Sequence, residues 1–250
     1  METNSIPVYI SAFVLASYGT LVAILAIFFL RKEVSKPYNG PAYGFLVVLA
    51  FLIGQWFLGF RDFFFRFDLP PRLLIGVLST LILFVGFGFT DRAHRKLTRL
   101  GSVDLCLFQI WRFLPEILIV LLVREGLISD IMTIKGRNFD LWVPVTAPIL
   151  YFLVSRGILS KKWILAWNGM AVLVLGLTVF TGITSAPFPF RILFTNPPNI
   201  VVTLFPVCFL PLFMVPLAFT GHILGISIGW REWKNEEKAE SSNLKHSKSI

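Results

Sequence analysis

Apolar stretches of membrane-crossing length alternate with short polar segments along almost the whole chain. A helix needs about 20 apolar residues to cross a bilayer, and a window of that length picks out seven candidates. They cover residues 8–30, 43–60, 73–89, 103–123, 141–154, 163–183 and 200–229. The fifth is short and carries Pro144 and Pro148, so a run of 14 residues that lengthens to 158 is expected there. The last holds Pro206, Pro211 and Pro216 at steps of five. Each proline removes one backbone donor, which predicts a bent or partly unwound helix. The expected fold is all-α: a polytopic bundle of seven spans over 1–230, followed by a disordered basic tail over 231–250.

The charges between the spans predict an orientation. With the N-terminus outside, 15 basic residues fall on inner segments and the tail, and 7 on outer segments. The excess of Lys and Arg inside supports an N-out, C-in topology with an odd number of crossings. Trp142, Trp163 and Trp230 fall at expected lipid–water boundaries.

Composition changes the class more than the pattern does. Of 250 residues, 56% are hydrophobic and only 15% charged, with 26 Phe and a mean hydropathy of +0.75. A soluble domain carries about 25% charge, so an integral membrane protein is expected. The net charge of +9 is spread over loops and tail, where it sets topology, and no nucleic-acid partner is expected. Membrane lipids are the expected surroundings, and the tail's basic residues suit anionic lipid. The segment 1–7 carries Glu2 and no basic residue, so no cleavable signal peptide is expected. The expected location is a cell membrane, of the cytoplasmic type if the source is bacterial. The oligomeric state has no sequence signal.

Candidate chemistry concentrates in the fourth span. Gln109, Arg112 and Glu116 lie three, four and seven residues apart, on one stripe of a helix. Charge in hydrocarbon is costly and normally faces protein or a cavity. A rise of about 1.5 Å per residue puts Gln109, Asn168 and His222 at similar depths, with Gln55 nearer Glu116. These five residues, Gln109, Arg112, Glu116, Asn168 and His222, form the candidate ligand site. Two readings compete for it. Arg112 and Glu116 neutralise each other as an i, i+4 pair while the amides join helices, or the stripe lines a polar cavity. Pro115 leaves the Trp111 carbonyl without its intrahelical donor, a local break that suits a cavity. Residues 135–140, 185–189 and 196–199 are read as outer loops, built mainly of turn and cap chemistry.

Resemblances to known families fail at their defining residues. Length and span number resemble the microbial rhodopsins, whose retinal is bound by a lysine of the seventh helix; 200–229 has none. Asp91 and Arg92 resemble the acidic-arginine pair of G-protein-coupled receptors, but the proline-and-tyrosine signature of their seventh helix is missing. Phe65, Arg66, Pro70 and Pro71 echo Phe190, Arg191, Pro197 and Pro198, a faint likeness to the repeats of sugar transporters of the SWEET type and PQ-loop proteins. No Pro-Gln pair accompanies it. Cys106 and Cys208 both fall in apolar runs, and only three histidines occur, so neither a disulfide scaffold nor a metal box is expected. No cofactor motif or catalytic signature is present. Three functions follow as expectations. The first is binding or transport of a small or lipid-like molecule through a polar intramembrane cavity. The second is an intramembrane enzyme on a lipid or isoprenoid, with Glu116 or His222 as acid or base. The third is a structural or assembly role without a substrate.

Overall fold

The computed structural model describes residues 6–31 and 40–247, with side chains over 6–31 and 41–238. Lys32, Lys36 and Lys248, counted above as inner charges, lie outside the described residues. Every regular element described is helical. They are α1 (Val8–Leu30), α2 (Gly40–Phe60), α3 (Arg72–Phe89), α4 (Asp91–Phe108), α5 (Phe113–Arg124), α6 (Trp142–Ser155), α7 (Lys162–Ser185) and α8 (Val215–Ser247).

Among the described residues, six helical stretches are long and apolar enough to cross a membrane, including Val8–Leu30, Asp91–Arg124 and Leu210–Lys238. Their outward faces carry large apolar side chains. Ile82 is 72% exposed and Leu173 69%, and Ile53, Phe57 and Phe180 are exposed beside them. Apolar surface on this scale is not left to water. The chain is therefore an all-helical, multi-pass integral membrane protein.

The structure departs from the seven even spans in three places. First, α6 has only 14 residues, a rise of about 21 Å against a hydrocarbon core of about 30 Å. Pro148 lies inside it, and the chain before it is not an extended helix. Residues 125–141 fold instead into turns and a 3-10 segment, Asp130–Met132. This loop satisfies its own backbone: Gly136 N–H donates to Thr133 O at 2.9 Å and Arg137 N–H to Ile131 O at 2.8 Å. A Cβ on Gly136 would sit 2.3 Å from Ile131 Cα, so only glycine fits this crossing of chain over chain.

Second, the fourth helix starts early. Its first ten residues bury Ala93, His94 and Leu97 and expose Arg92, Arg95 and Arg99, an amphipathic pattern suited to a membrane surface. Gly101, at φ +85°, then bends the chain. The new helix start is held by Glu232, which accepts from Ser102 N–H at 3.1 Å and Ser102 Oγ–H at 2.7 Å.

Third, 200–229 is not one helix. It opens as a 3-10 turn, Val201–Thr203, turns through Pro206, and becomes a π-helix over Leu210–Met214 before α8 begins. Val215 N–H reaches back five residues to Leu210 O, because Pro211 and Pro216 cannot donate into an α ladder. The expected unwinding is present. At its far end α8 continues to Ser247, where the sequence led us to expect a disordered tail. Glu232 and Glu236 of this extension meet Lys161 at 3.6 and 3.3 Å.

These contacts define two ends of the bundle. Ser102, Lys161 and Glu232 gather at one, and Tyr9 Oη–H donates to Glu125 at the other at 2.5 Å. The apolar half of α8 is the central post, packed by α3, α4 and α7. Around it Phe29, Phe45, Phe84, Phe209 and Phe213 form much of the core.

Candidate functional site

The site grows from Pro115. Without its N–H, the Trp111 carbonyl loses its donor, and the proline ring crowds the turn before it. The chain answers with a 3-10 turn over Gln109–Arg112, between α4 and α5. That turn aims Arg112 across the bundle rather than along its own helix. The guanidinium is 1% exposed and meets two groups from elsewhere. Nη1 lies 2.8 Å from His222 Nε2 of α8, and Nη2 donates to Asp140 Oδ2, just before α6.

The network assigns the histidine tautomer. Arginine only donates, so His222 Nε2 accepts and Nδ1 carries the proton. Nδ1–H then donates to Asn168 Oδ1 of α7 at 2.8 Å. Asn168 Nδ2 donates to Ile164 O at 2.8 Å. Trp167 packs edge-on to the imidazole, with ring centroids 5.5 Å apart.

Glu116 belongs to a second branch. Its oxygens accept from Asn138 Nδ2 at 3.1 and 3.0 Å. Asn138 Oδ1 accepts from Asp140 N–H and from Thr178 Oγ1, each at 3.0 Å. The loop before α6 is thereby tied to both α5 and α7.

The five expected residues thus divide. Arg112, His222 and Asn168 form one hydrogen-bonded chain, and Glu116 joins it through Asn138 and Asp140. Gln109 is buried beside them, its side chain laid over Gly221, where a Cβ would come within 2.3 Å of Nε2. Its amide atoms have no hydrogen-bond partner among the described residues. The anticipated Arg112–Glu116 pair is replaced by Arg112–Asp140, because the 3-10 turn changes the phase between positions 112 and 116. Gln55 lies elsewhere. It donates to Thr80 Oγ1 at 2.8 Å and to Gly76 O at 3.2 Å, joining α2 to α3.

Asp140, Asn138 and Thr178 were not singled out from the sequence as site residues. The first two sit in a segment read as an outer loop, yet both are nearly fully buried. An asparagine two residues before an aspartate, at the entrance to a proline-shortened span, was the available signal.

A cavity of about 100 Å³ meets this second branch. Val77 of α3, Val179 and Ile183 of α7, and Pro211 and Val215 at the π-helix wall it; Trp111, Arg112, Glu116 and Asp140 border it from α5 and the loop. Its surface is almost wholly apolar, not the polar chamber expected. It is smaller than the roughly 300–1,000 Å³ of a drug-sized pocket, and has room for several waters or one slim chain. His222, Asn168 and Gln109 do not line it. Beside Phe139, Trp142 and Met170 lies a shallower, open apolar depression of about 470 Å³.

Among the described residues, no group of three His, Cys, Asp or Glu side chains is placed to hold a metal ion. No protein-family profile, curated protein or solved structure matches the chain significantly.

Proposed function

We propose that this membrane protein binds, and in binding moves or presents, a lipid-like molecule whose apolar chain occupies the cleft between α3, α5 and α7. The observation that carries this is an apolar cavity with a buried charged cluster at its border. Unwound backbone, the 3-10 turn on one side and the π-helix on the other, also borders it. Broken helices in a bilayer are tolerated where backbone is buried in protein or lines a cavity. The π-helix and the loop before α6 are the elements that can yield to admit a chain.

In this proposal the chain crosses the membrane seven times with its N-terminus outside. The short helix α6 and the loop before it together make the fifth crossing. Supporting it, Glu125 shares an end with Tyr9 while Lys161 shares the other end with Glu232. The basic faces of Arg92, Arg95 and Arg99 and of the α8 extension then lie on the cytoplasmic side of a cell membrane. The cavity, bordered by the last turns of α7 and the first of α3, lies in the outer half.

An enzyme with His222 as acid or base is less well supported, since both imidazole nitrogens are committed to Arg112 and Asn168 and His222 does not line the cavity. A purely structural role leaves the cavity without a purpose. The test is occlusion. Val77→Trp and Val179→Trp fill the cleft from two helices, and full-length protein is purified in nanodiscs with its bound lipids weighed by native mass spectrometry. Loss of a bound apolar species from both variants is expected. Unchanged lipid binding in both would end the proposal.

A further inference from the structure

The charges around the cavity do not balance, and the imbalance indicates the ligand's head. Arg112 is already paired: its guanidinium meets Asp140 and a neutral His222. One positive and one negative charge cancel there. Glu116 remains. Its hydrogen-bond partner among the described residues, Asn138, is an amide without charge. A buried carboxyl without a cation is either charged at high cost or holds a proton; this one borders the apolar cavity, where a cation brought beside it would favour the charged form.

The free hydrogen-bonding capacity has the same bias. Asp140 is 4% exposed and Asn199 3%; both border the cavity, and Oδ1 of each has no hydrogen-bond partner among the described residues. These are acceptors, as is the Glu116 carboxylate. Among the described residues that border the cavity, Trp111 Nε1 is a buried donor without a partner, which a single water can satisfy. An anionic head would meet three acceptors and a guanidinium already committed. A head that donates hydrogen bonds and carries positive charge would meet what is unfilled.

We infer that the cleft binds a long-chain amine in its protonated form, with the ammonium against Glu116 and the alkyl chain between α3 and α7. The inference rests on the cleft being a ligand site and adds the sign and chemistry of the head. It reverses the sequence-level expectation that Arg112 would attract an anion. The ammonium supplies three donors, enough for Glu116, Asp140 Oδ1 and Asn199 Oδ1. The apolar wall takes the chain, whose methylenes leave water on binding.

The experiment compares three ligands of one chain length: dodecylammonium, dodecanol and dodecanoate. Each is titrated into full-length protein in nanodiscs of zwitterionic lipid at neutral pH, with empty nanodiscs correcting for partition and bound ligand counted by native mass spectrometry. The amine is expected to bind about tenfold or more tightly than the alcohol, the gain of one charged hydrogen bond, and the acid least. Glu116→Gln keeps an oxygen for Asn138 and should bring the amine down to the level of the alcohol, weakening the amine far more than the alcohol. Equal binding of amine and alcohol, or preference for the acid, would overturn the inference while leaving the cleft as a lipid site. An amine preference that survives Glu116→Gln would overturn it too. Should the variant not fold, the wild-type ranking of the three heads decides alone. If none of the three binds, or if Val77→Trp leaves all three unchanged, the cleft itself is not the site, and both proposals fall together.

Discussion

Two polar clusters flank the same 3-10 turn, and they are built from similar residues to opposite ends. On one side His222, Asn168 and Gln109 are buried between α4, α7 and α8 and do not line the cavity. Gly221 and Gly225 let the side chains lie directly on the α8 backbone, where a Cβ on Gly225 would approach Asn168 Oδ1 to 2.9 Å. On the other side Glu116, Asn138, Asp140 and Thr178 border a void and leave acceptors unfilled. Arg112 belongs to both. The difference lies in charge and surroundings: the first cluster is neutral apart from Arg112 and holds helices together, with the Gln109 amide without partners among the described residues, while the second carries two carboxyls for one arginine beside the cavity. Buried polar groups in membrane helices therefore divide by what lies next to them, not by residue type.

The sharpest way to break the comparison is to remove the residue common to both. Arg112→Leu strands Asp140 as a buried, unpaired charge and frees His222 Nε2. A loss of about 3–5 kcal/mol is expected, read from reversible unfolding in mixed micelles. The double variant Arg112→Met, Asp140→Leu should recover much of it, because a buried pair replaced by apolar groups costs little. Failure to recover would show that Asp140 serves more than its pairing.

Single-sided changes come next. Asn168→Leu leaves the His222 Nδ1–H without an acceptor and should cost about 1–3 kcal/mol with no effect on ligand binding in the nanodisc assay. Asn138→Ala removes the donor on Glu116 and the acceptor for Asp140 N–H. It should cost a similar amount, about 1–3 kcal/mol, and change binding as well. If both variants altered binding alike, the division between closed and cavity-bordering clusters would be wrong. The smallest effect is expected from Thr178→Val, one interhelical hydrogen bond worth about 0.6 kcal/mol, measured by the same unfolding titration.

Legibility followed the type of signal. Long apolar runs gave the helices, since a bilayer demands them locally and continuously. The prolines forecast the unwinding before α8 and the turn at Gln109–Arg112, because a missing N–H is a property of one residue and its own helix. Helical spacing singled out Arg112 and Glu116 but not the 3-10 turn that breaks their common stripe; three of the five candidate residues share a hydrogen-bonded chain. The partner of Arg112 was not legible. Asp140 lies 28 residues away in a segment whose polarity marks it as a loop, and whether such a loop stays at the surface or dips among helices depends on what it is packed against. The same holds for the continuation of α8: Glu232 and Glu236 find Lys161 only once α7 and α8 lie side by side.

By itself the sequence determined the class, the helices and the places where those helices must break, since these follow from backbone hydrogen bonding in an apolar solvent and act over a few residues. Tertiary structure alone decided which charges cancel. It paired Arg112 with Asp140 instead of Glu116, closed one polar cluster and left the other beside a cavity. Pairing depends on distances between side chains from different helices, and those distances exist only after the bundle has packed.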